Sequence, residues 1–311
     1  MNKLNVLSCF DGMSCGQIAL DRLGIPVNKY FASEVDKYAI QTTQKNFPNT
    51  VQLGSITDIP SKPTINGHKI DLLIGGSPCQ GFSFAGKQLN FDDPRSKLFF
   101  DFVRLKDSLK PKYFLLENVK MKKESEDIIT EILGVEPIEI NSRLVSAQNR
   151  KRLFWTNIPF SGKQPEDKQV LLKDILEDDS VTDRDKSHCL DANYFKGGNL
   201  KSYFEKNRRQ IVFDSCLQIG TADLKGHDFI KRVYSRNAKS PTLTAKSGGN
   251  TEPKTNIGRT HWRKLTPLEC ERLQTVPEGY TEGVSNTQRY RMLGNGWTVD
   301  VICHIMEGLK L

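Results

Sequence analysis

The sequence predicts an open α/β sheet of mostly parallel strands, interrupted by one loop-rich insertion. Three observations carry this. From Leu4 to Leu116, short apolar runs alternate with segments of helical spacing. A glycine-bearing turn, Gly12 to Gly16, separates the first strand from the first helix. After Phe160 the alternation fades into a stretch rich in Lys, Asp, Asn, Gly and Ser, and helical signals return only at Thr266.

In chain order, Leu4–Cys9 reads as a buried strand, and Gln17–Leu23 as a helix stopped by Gly24. Tyr30–Ser33 is a second short strand. Asp71–Ile74 is an apolar run that ends in Gly75-Gly76. Ser96–Leu109 has helical spacing, closed by Lys110-Pro111, and Tyr113–Leu116 is another buried strand. Within the insertion, spanning 161–262, Ile211-Val212-Phe213 is a strand candidate. Thr266-Pro267-Leu268-Glu269 has the pattern of a capping box with Pro at the first helical position, and Ser285–Gln288 predicts a second box.

A chain of 311 residues predicts two domains, or one large domain with an insertion. Its 37% hydrophobic and 26% charged residues suit a globular protein and exclude wholesale disorder. No apolar run approaches the roughly 18 residues of a membrane span. Met1-Asn2-Lys3-Leu4 leads into a strand-like stretch without a signal-peptide pattern. The seven cysteines form no C-x-x-C pair, so neither a disulfide framework nor a cysteine zinc site is expected, and a reducing compartment is the default. The net charge of +8 is unevenly spread. Between Arg184 and Lys264 there are 17 Lys/Arg against 7 Asp/Glu, and elsewhere 28 against 30. Such a concentrated excess suits a polyanion-binding module, although a solvated lysine-rich surface has the same composition.

Four segments carry candidate chemistry. In Phe10-Asp11-Gly12-Met13-Ser14-Cys15-Gly16, a turn follows the first strand, where open α/β sheets bind ligands. Glu34 ends the next strand, 18 residues past Gly16, and could accept from both ribose hydroxyls of an adenosine cofactor. The turn is not G-x-G-x-x-G, so a pyrophosphate is not specially favoured. Cys79 sits just past a buried strand among Gly, Ser and Pro, the exposed setting of a nucleophile rather than of a packed thiol. Glu117 ends the next buried strand and faces the same crevice. A carboxyl at an apolar strand end can stay protonated. In Gln148-Asn149-Arg150-Lys151-Arg152, a strand would put both arginines on one face, suited to phosphate or carbonyl recognition. Taken singly, each segment also fits a plain turn, a loop cysteine, a capping acid or a basic edge strand.

Together and in this order, they resemble the cytosine-C5 DNA methyltransferases. The resemblance runs from Leu4 to about Leu309. It rests on the first turn, Ser77-Pro78-Cys79-Gln80, Glu117-Asn118-Val119, the Gln148/Arg150/Arg152 spacing and Leu293-Gly294-Asn295-Gly296. Phe10-Asp11-Gly12 and Gly294-Asn295-Gly296-Trp297 are most similar to animal de novo methyltransferase catalytic domains. Ser83-Phe84-Ala85-Gly86-Lys87 is more similar to bacterial modification enzymes.

The resemblance implies a Rossmann-like sheet that uses S-adenosylmethionine, with a target-recognition domain inserted at 166–282 and a catalytic and cofactor-binding domain formed by 1–165 and 283–311. It implies catalytic roles for Cys79, Glu117, Arg150 and Arg152. The cysteine attacks cytosine C6, the glutamic acid protonates N3, an arginine assists near O2, and the base is flipped out of the duplex. It assigns the cofactor to Phe10, Asp11, Gly12, Met13, Ser14 and Cys15 of the first turn, and to Glu34, Val35, Ser55, Ile56, Pro78 and Leu98. Asn295, Gly296 and Trp297 would close the pocket, so the last helix must fold back onto the first domain. Ser55 departs from the family's usual Asp, with Asp58 as a substitute, and Cys15 stands where a smaller residue is usual. DNA contacts fall to Gln80, Ser83 and Lys87 and, in the insertion, to Arg232, Arg236, Thr242, Leu243 and Thr244. No metal is implied. The expected partner is double-stranded DNA, and the expected setting is a monomer in the nucleoid-associated cytoplasm of a bacterial or phage-infected cell. An RNA cytosine methyltransferase and an inactive DNA-binding homologue remain as rivals.

Overall fold

The structure, a computed structural model, describes residues 3–77, 94–160, 162–197, 200–213, 218–221, 232–234 and 262–309. Its centre is a seven-stranded sheet of β1 (Leu4–Cys9), β2 (Val27–Ser33), β3 (Val51–Gln52), β4 (Leu72–Gly76), β5 (Tyr113–Val119), β6 (Ile138–Asn141) and β7 (Lys151–Thr156), in the order β3-β2-β1-β4-β5-β7-β6. The first five strands are parallel, and β7 runs antiparallel to both its neighbours. Chain order reverses between β1 and β4, which opens a crevice at their carboxyl ends.

The strands are buried on both faces, which is why they read as continuous apolar runs. Alternation sends Val6, Leu72, Ile74 and Leu115 to one core and Leu7, Leu73, Phe114 and Leu116 to the other. On the first face lie α1 (Cys15–Arg22) and α2 (Lys37–Asn46), and on the second α3 (Pro94–Leu109) and α4 (Lys123–Leu133). α2 begins where the Asp36 carboxylate accepts from the backbone N–H groups of Tyr38 and Ala39. α3 stops before Pro111, and Gly134 closes α4 at φ 71°.

The later chain returns to the first face through α6 (Pro267–Leu273), α7 (Asn286–Asn295) and α8 (Val299–Met306), which follow α5 (Leu200–Lys206) in the insertion. As expected, the last helix folds back. α8 packs on α1, and Asp300 bridges Arg22 and Lys168. The Thr266–Glu269 capping box forms in full, with Glu269 N–H donating to Thr266 Oγ1 (3.2 Å) and Thr266 N–H to Glu269 Oε2 (2.8 Å). The second expected box does not form. Ser285 makes no side-chain cap; its carbonyl accepts from Gln288 and Arg289, while the Gln288 side-chain oxygen is buried rather than turned back to the cap.

The described part of the insertion contains two short antiparallel ribbons. One pairs β8 (Ile211–Phe213) with β11 (Trp262–Lys264), and the other pairs β9 (Gln218–Thr221) with β10 (Arg232–Tyr234). Tyr203, Ile211 and Phe213 make a small separate core, whereas Leu172, Ile175, Leu190, Tyr194 and Leu265 join the main one. Gly294, in the last turn of α7, lies directly on the chain leaving Leu190. A Cβ there would stand 2.3 Å from the Asp191 carbonyl atoms. Backbone cannot yield as a side-chain tip does, so Gly294→Ala is expected to cost about 1–3 kcal/mol by overpacking. Urea denaturation of the two proteins measures this.

Candidate active site

The carboxyl ends of β1, β2, β4 and β5 converge on a cavity of about 620 Å³. The α7–α8 junction closes its far side. Such a volume suits a small-molecule cofactor.

The turn after β1 forms the floor. Phe10, Gly12 and Ser14 all have left-handed backbones, with φ of 57°, 57° and 61°. Two of these are side-chain-bearing residues held in a disfavoured region. The cause is visible in the bonds around Asp11. Its N–H donates to Ser33 O, and its carboxylate accepts from Tyr30 Oη (2.9 Å) and from Ser14 Oγ. Ser14 Oγ in turn accepts from Thr43 Oγ1, and Tyr280 Oη donates to Met13 O. Burial pushes the Asp11 carboxyl up to about 6, against the lowering effect of hydrogen bonds from Ser14, Ser8 and Tyr30.

Glu34 follows β2. Its oxygens accept from the N–H groups of Gly12 (2.7 Å), Val35 (2.7 Å) and Asp36 (2.8 Å). A carboxylate offers about four lone-pair positions, so one remains for a ligand hydroxyl. Val35 is the apolar lip beside it, 73% exposed. Ser55 opens a 3-10 turn at Ile56–Asp58. Thr57 Oγ1 donates to Asp58 Oδ1 (3.1 Å), so the Ser55 hydroxyl spends its proton on Thr57 Oγ1 (2.8 Å) and presents a lone pair. Asp58 itself is exposed and does not line the cavity.

At the other end stands Glu117, in register with Gly76 of β4. Oε1 accepts from Arg152 Nε at 2.8 Å and Oε2 from Trp297 Nε1 at 3.1 Å. Asn118 Nδ2 reaches back to Ser77 Oγ (3.1 Å) and Ser77 O (3.3 Å), pinning the end of β4 beside Glu117.

Arg150 immediately precedes β7. It is buried, with Nη1 donating to Leu190 O (2.9 Å) and Nη2 to Gly294 O (3.2 Å) and Gly296 O (2.9 Å). Gln148 is buried too, bonded to Leu273 O and Leu190 N.

The cavity therefore gathers Phe10, Asp11, Gly12, Cys15, Glu34, Val35, Ser55, Ile56 and Leu98 at one end. Glu117, Arg150, Arg152, Asn295, Gly296 and Trp297 stand at the other. Met13 and Ser14 lie behind the wall, in the core. Gly76 and Asn118 of the quoted segments line it too, as do Asp36 and Arg291, to which the sequence gives no role. Arg291 carries no sequence signal at all, since its 3.6 Å approach to Asp36 joins helices far apart in the chain. Pro78, Cys79, Gln80, Ser83, Lys87, Arg236, Thr242, Leu243 and Thr244 lie outside the described residues, and Arg232 opens β10. Burial pushes the thiols of Cys9 and Cys270 up, Cys15 up to about 12 and Cys303 up to about 11, leaving them as packed rather than reactive groups. No group of His, Cys, Asp and Glu suited to a metal occurs among the described residues, and none of their helices is long and apolar enough to cross a membrane.

The Arg150 fork yields a prediction. A lysine cannot span three carbonyls on separate segments. Arg150→Lys is expected to strand at least one buried acceptor, costing about 1–3 kcal/mol in a denaturant titration.

Comparison with known proteins agrees with this architecture. The family model described as C-5 cytosine-specific DNA methylase matches residues 4–135 and 141–311. The chain is 33% identical over 301 residues to the type II methyltransferase M1.ScrFI of Lactococcus lactis subsp. cremoris, covering 90% of this chain and 72% of the relative. It is 28% identical to M.HhaI of Haemophilus parahaemolyticus, covering 97% and 93%. Among solved structures, a DNMT2 mutant of Spodoptera frugiperda superposes with a TM-score of 0.66 at 18% identity, covering 98% and 99%, which is a likeness of fold. With the family model matched over nearly the whole chain and its sheet and crevice in place, the protein belongs to the C-5 cytosine-specific DNA methylases.

Proposed function

We propose that the chain methylates C5 of cytosine in duplex DNA. One observation carries the reading. Glu117 stands at the inner end of the cavity, held by Arg152 and facing the end of β4, and that strand leads through Ser77 to Cys79. Cys79 follows Ser77 by two residues in the sequence, and the reading takes it as the nucleophile.

Glu34 would take one ribose hydroxyl, since its other positions are filled, and Ser55 would accept from the adenine amino group through the lone pair that Thr57 and Asp58 free. Asp11 would face the cationic part of the cofactor, and Phe10, Leu98, Val35 and Ile56 its flat surfaces. These donors, acceptors and apolar walls fit an adenosyl sulfonium. S-adenosylmethionine, the donor the family uses, supplies an electrophilic methyl group. Cys79 adds to C6 as a thiolate while Glu117 gives its proton to N3. After methylation, water removes the C5 proton, the Cys79–C6 bond breaks and N3 returns its proton to Glu117. Neither ring atom is accessible in a stacked duplex, so the base is flipped.

The basic segment 184–264 supports DNA as the polyanion, and the small separate core of Tyr203, Ile211 and Phe213 supports a recognition unit within the expected 166–282. Bacterial and phage relatives support a cytoplasmic setting.

Labelled methyl transfer to duplex DNA and to tRNA tests the reading. Transfer to DNA alone is expected. Cys79→Ser is expected to abolish transfer while retaining cofactor binding, and DNA carrying 5-fluorocytosine to trap the unsubstituted enzyme covalently. Transfer to tRNA alone selects the RNA reading, and an active Cys79→Ser protein removes the nucleophile.

A pH dependence follows from Asp11, whose carboxyl is near 6 when the cavity is free. A cation favours its ionised form, so binding lowers that value. S-adenosylmethionine affinity is expected to be level at neutral pH and to fall below about pH 6, by at most ~10-fold per pH unit. Calorimetric titration across pH 5–8 measures it, and Asp11→Asn is expected to flatten the curve.

A further inference from the structure

We propose that Trp297 is a positioning residue for Glu117: its indole N–H holds the carboxylate in place until the target base takes over that oxygen. The inference rests on the methyl-transfer reading above.

The geometry is closely constrained. Trp297 Nε1 donates to Glu117 Oε2 at 3.1 Å, while Arg152 holds Oε1 at 2.8 Å. Gly76 makes this meeting possible, since a Cβ there would stand 2.8 Å from Oε2 and 2.9 Å from Nε1. The indole is also delivered from a fixed support. Arg150 and Gln274 both donate to Gly296 O, at 2.9 and 3.2 Å. On the other side of Trp297, Thr298 is held between Ser142 Oγ and Gln274 Oε1, each at 2.9 Å. A ring needed only as a cavity wall would require no such aim at a carboxylate.

The chemistry explains the arrangement. Indole N–H and guanidinium are donors that cannot accept a proton. With one on each oxygen, the carboxyl is held in a fixed plane. To act on N3 the acid must carry its proton on an oxygen that faces the base. Arg152 stays on Oε1 as its charge partner, so the proton rides on Oε2, the oxygen that Trp297 covers. Arrival of N3 therefore exchanges one partner of Oε2 for another. The proton passes from Oε2 to N3 as the Cys79–C6 bond forms, and returns when that bond breaks.

Trp297→Phe keeps an aromatic wall and removes only the donor. Two results are expected. The maximal kcat falls about tenfold, within the range of misaligned acid catalysis, while the S-adenosylmethionine Kd stays within about threefold. In a Glu117→Gln background, Trp297→Phe costs little further rate, since the two act as one unit. The indole N–H resonance of Trp297 in the otherwise unaltered protein is expected to shift on Glu117→Gln, a readout that does not require the Phe variant to fold. Additive rate losses, or an indole resonance indifferent to Glu117→Gln, overturn the proposal. A protein that transfers no methyl to either nucleic acid overturns the functional reading instead, and the resonance still reports on the contact.

Discussion

One buried guanidinium ties together parts of the chain that local structure alone would leave unconnected. Arg150 spans the carbonyls of Leu190, Gly294 and Gly296. It thereby joins the start of β7, the entry to the insertion and the α7–α8 junction. A buried cation is costly unless its donors are satisfied, and a buried carbonyl is costly unless it accepts. Each side therefore requires the other. The aim of Trp297, the approach of Gly294 to Asp191 and the closed end of the cavity all depend on this fork.

The two arginines at the start of β7 thus have different work. Arg152 reaches the cavity and holds Glu117, whereas Arg150 is spent on backbone. Sequence spacing puts them on one face, and both line the cavity. What spacing cannot tell is that one end of a face can be solvent-side and the next residue on it fully enclosed. That depends on which other segment arrives, here 189–190 and 294–296.

This also explains which parts were legible. Strands β1, β4 and β5 are continuous apolar runs because both sheet faces are covered, so they could be read directly. The Thr266–Glu269 box is a four-residue device and formed as its pattern implies. Ser285–Gln288 has the same pattern and failed, because Gln288 is drawn inward by tertiary packing. Glu117 was found from its place at a strand end. Its bond to Trp297 was not, since it crosses 180 residues and no periodicity records such a distance. The Ser55–Thr57–Asp58 relay is half visible in the sequence: the absence of an acid at Ser55 can be read there, but the route through Thr57 depends on the turn's geometry.

The sheet's first face is covered by helices that come very late in the chain. Val6, Leu72 and Ile74 share one core with Val301, Ile302 and Ile305, and Tyr280 ties down Met13. During synthesis β1 through β5 therefore emerge long before α7 and α8 can shelter them. Until then the nascent chain carries a sheet face only partly covered by α1 and α2, the kind of apolar surface that associates wrongly or engages chaperones. The same delay means that a ribosome-bound chain lacking α7 has no closed cavity and no Trp297 against Glu117, so cofactor binding is withheld until the fold is nearly whole.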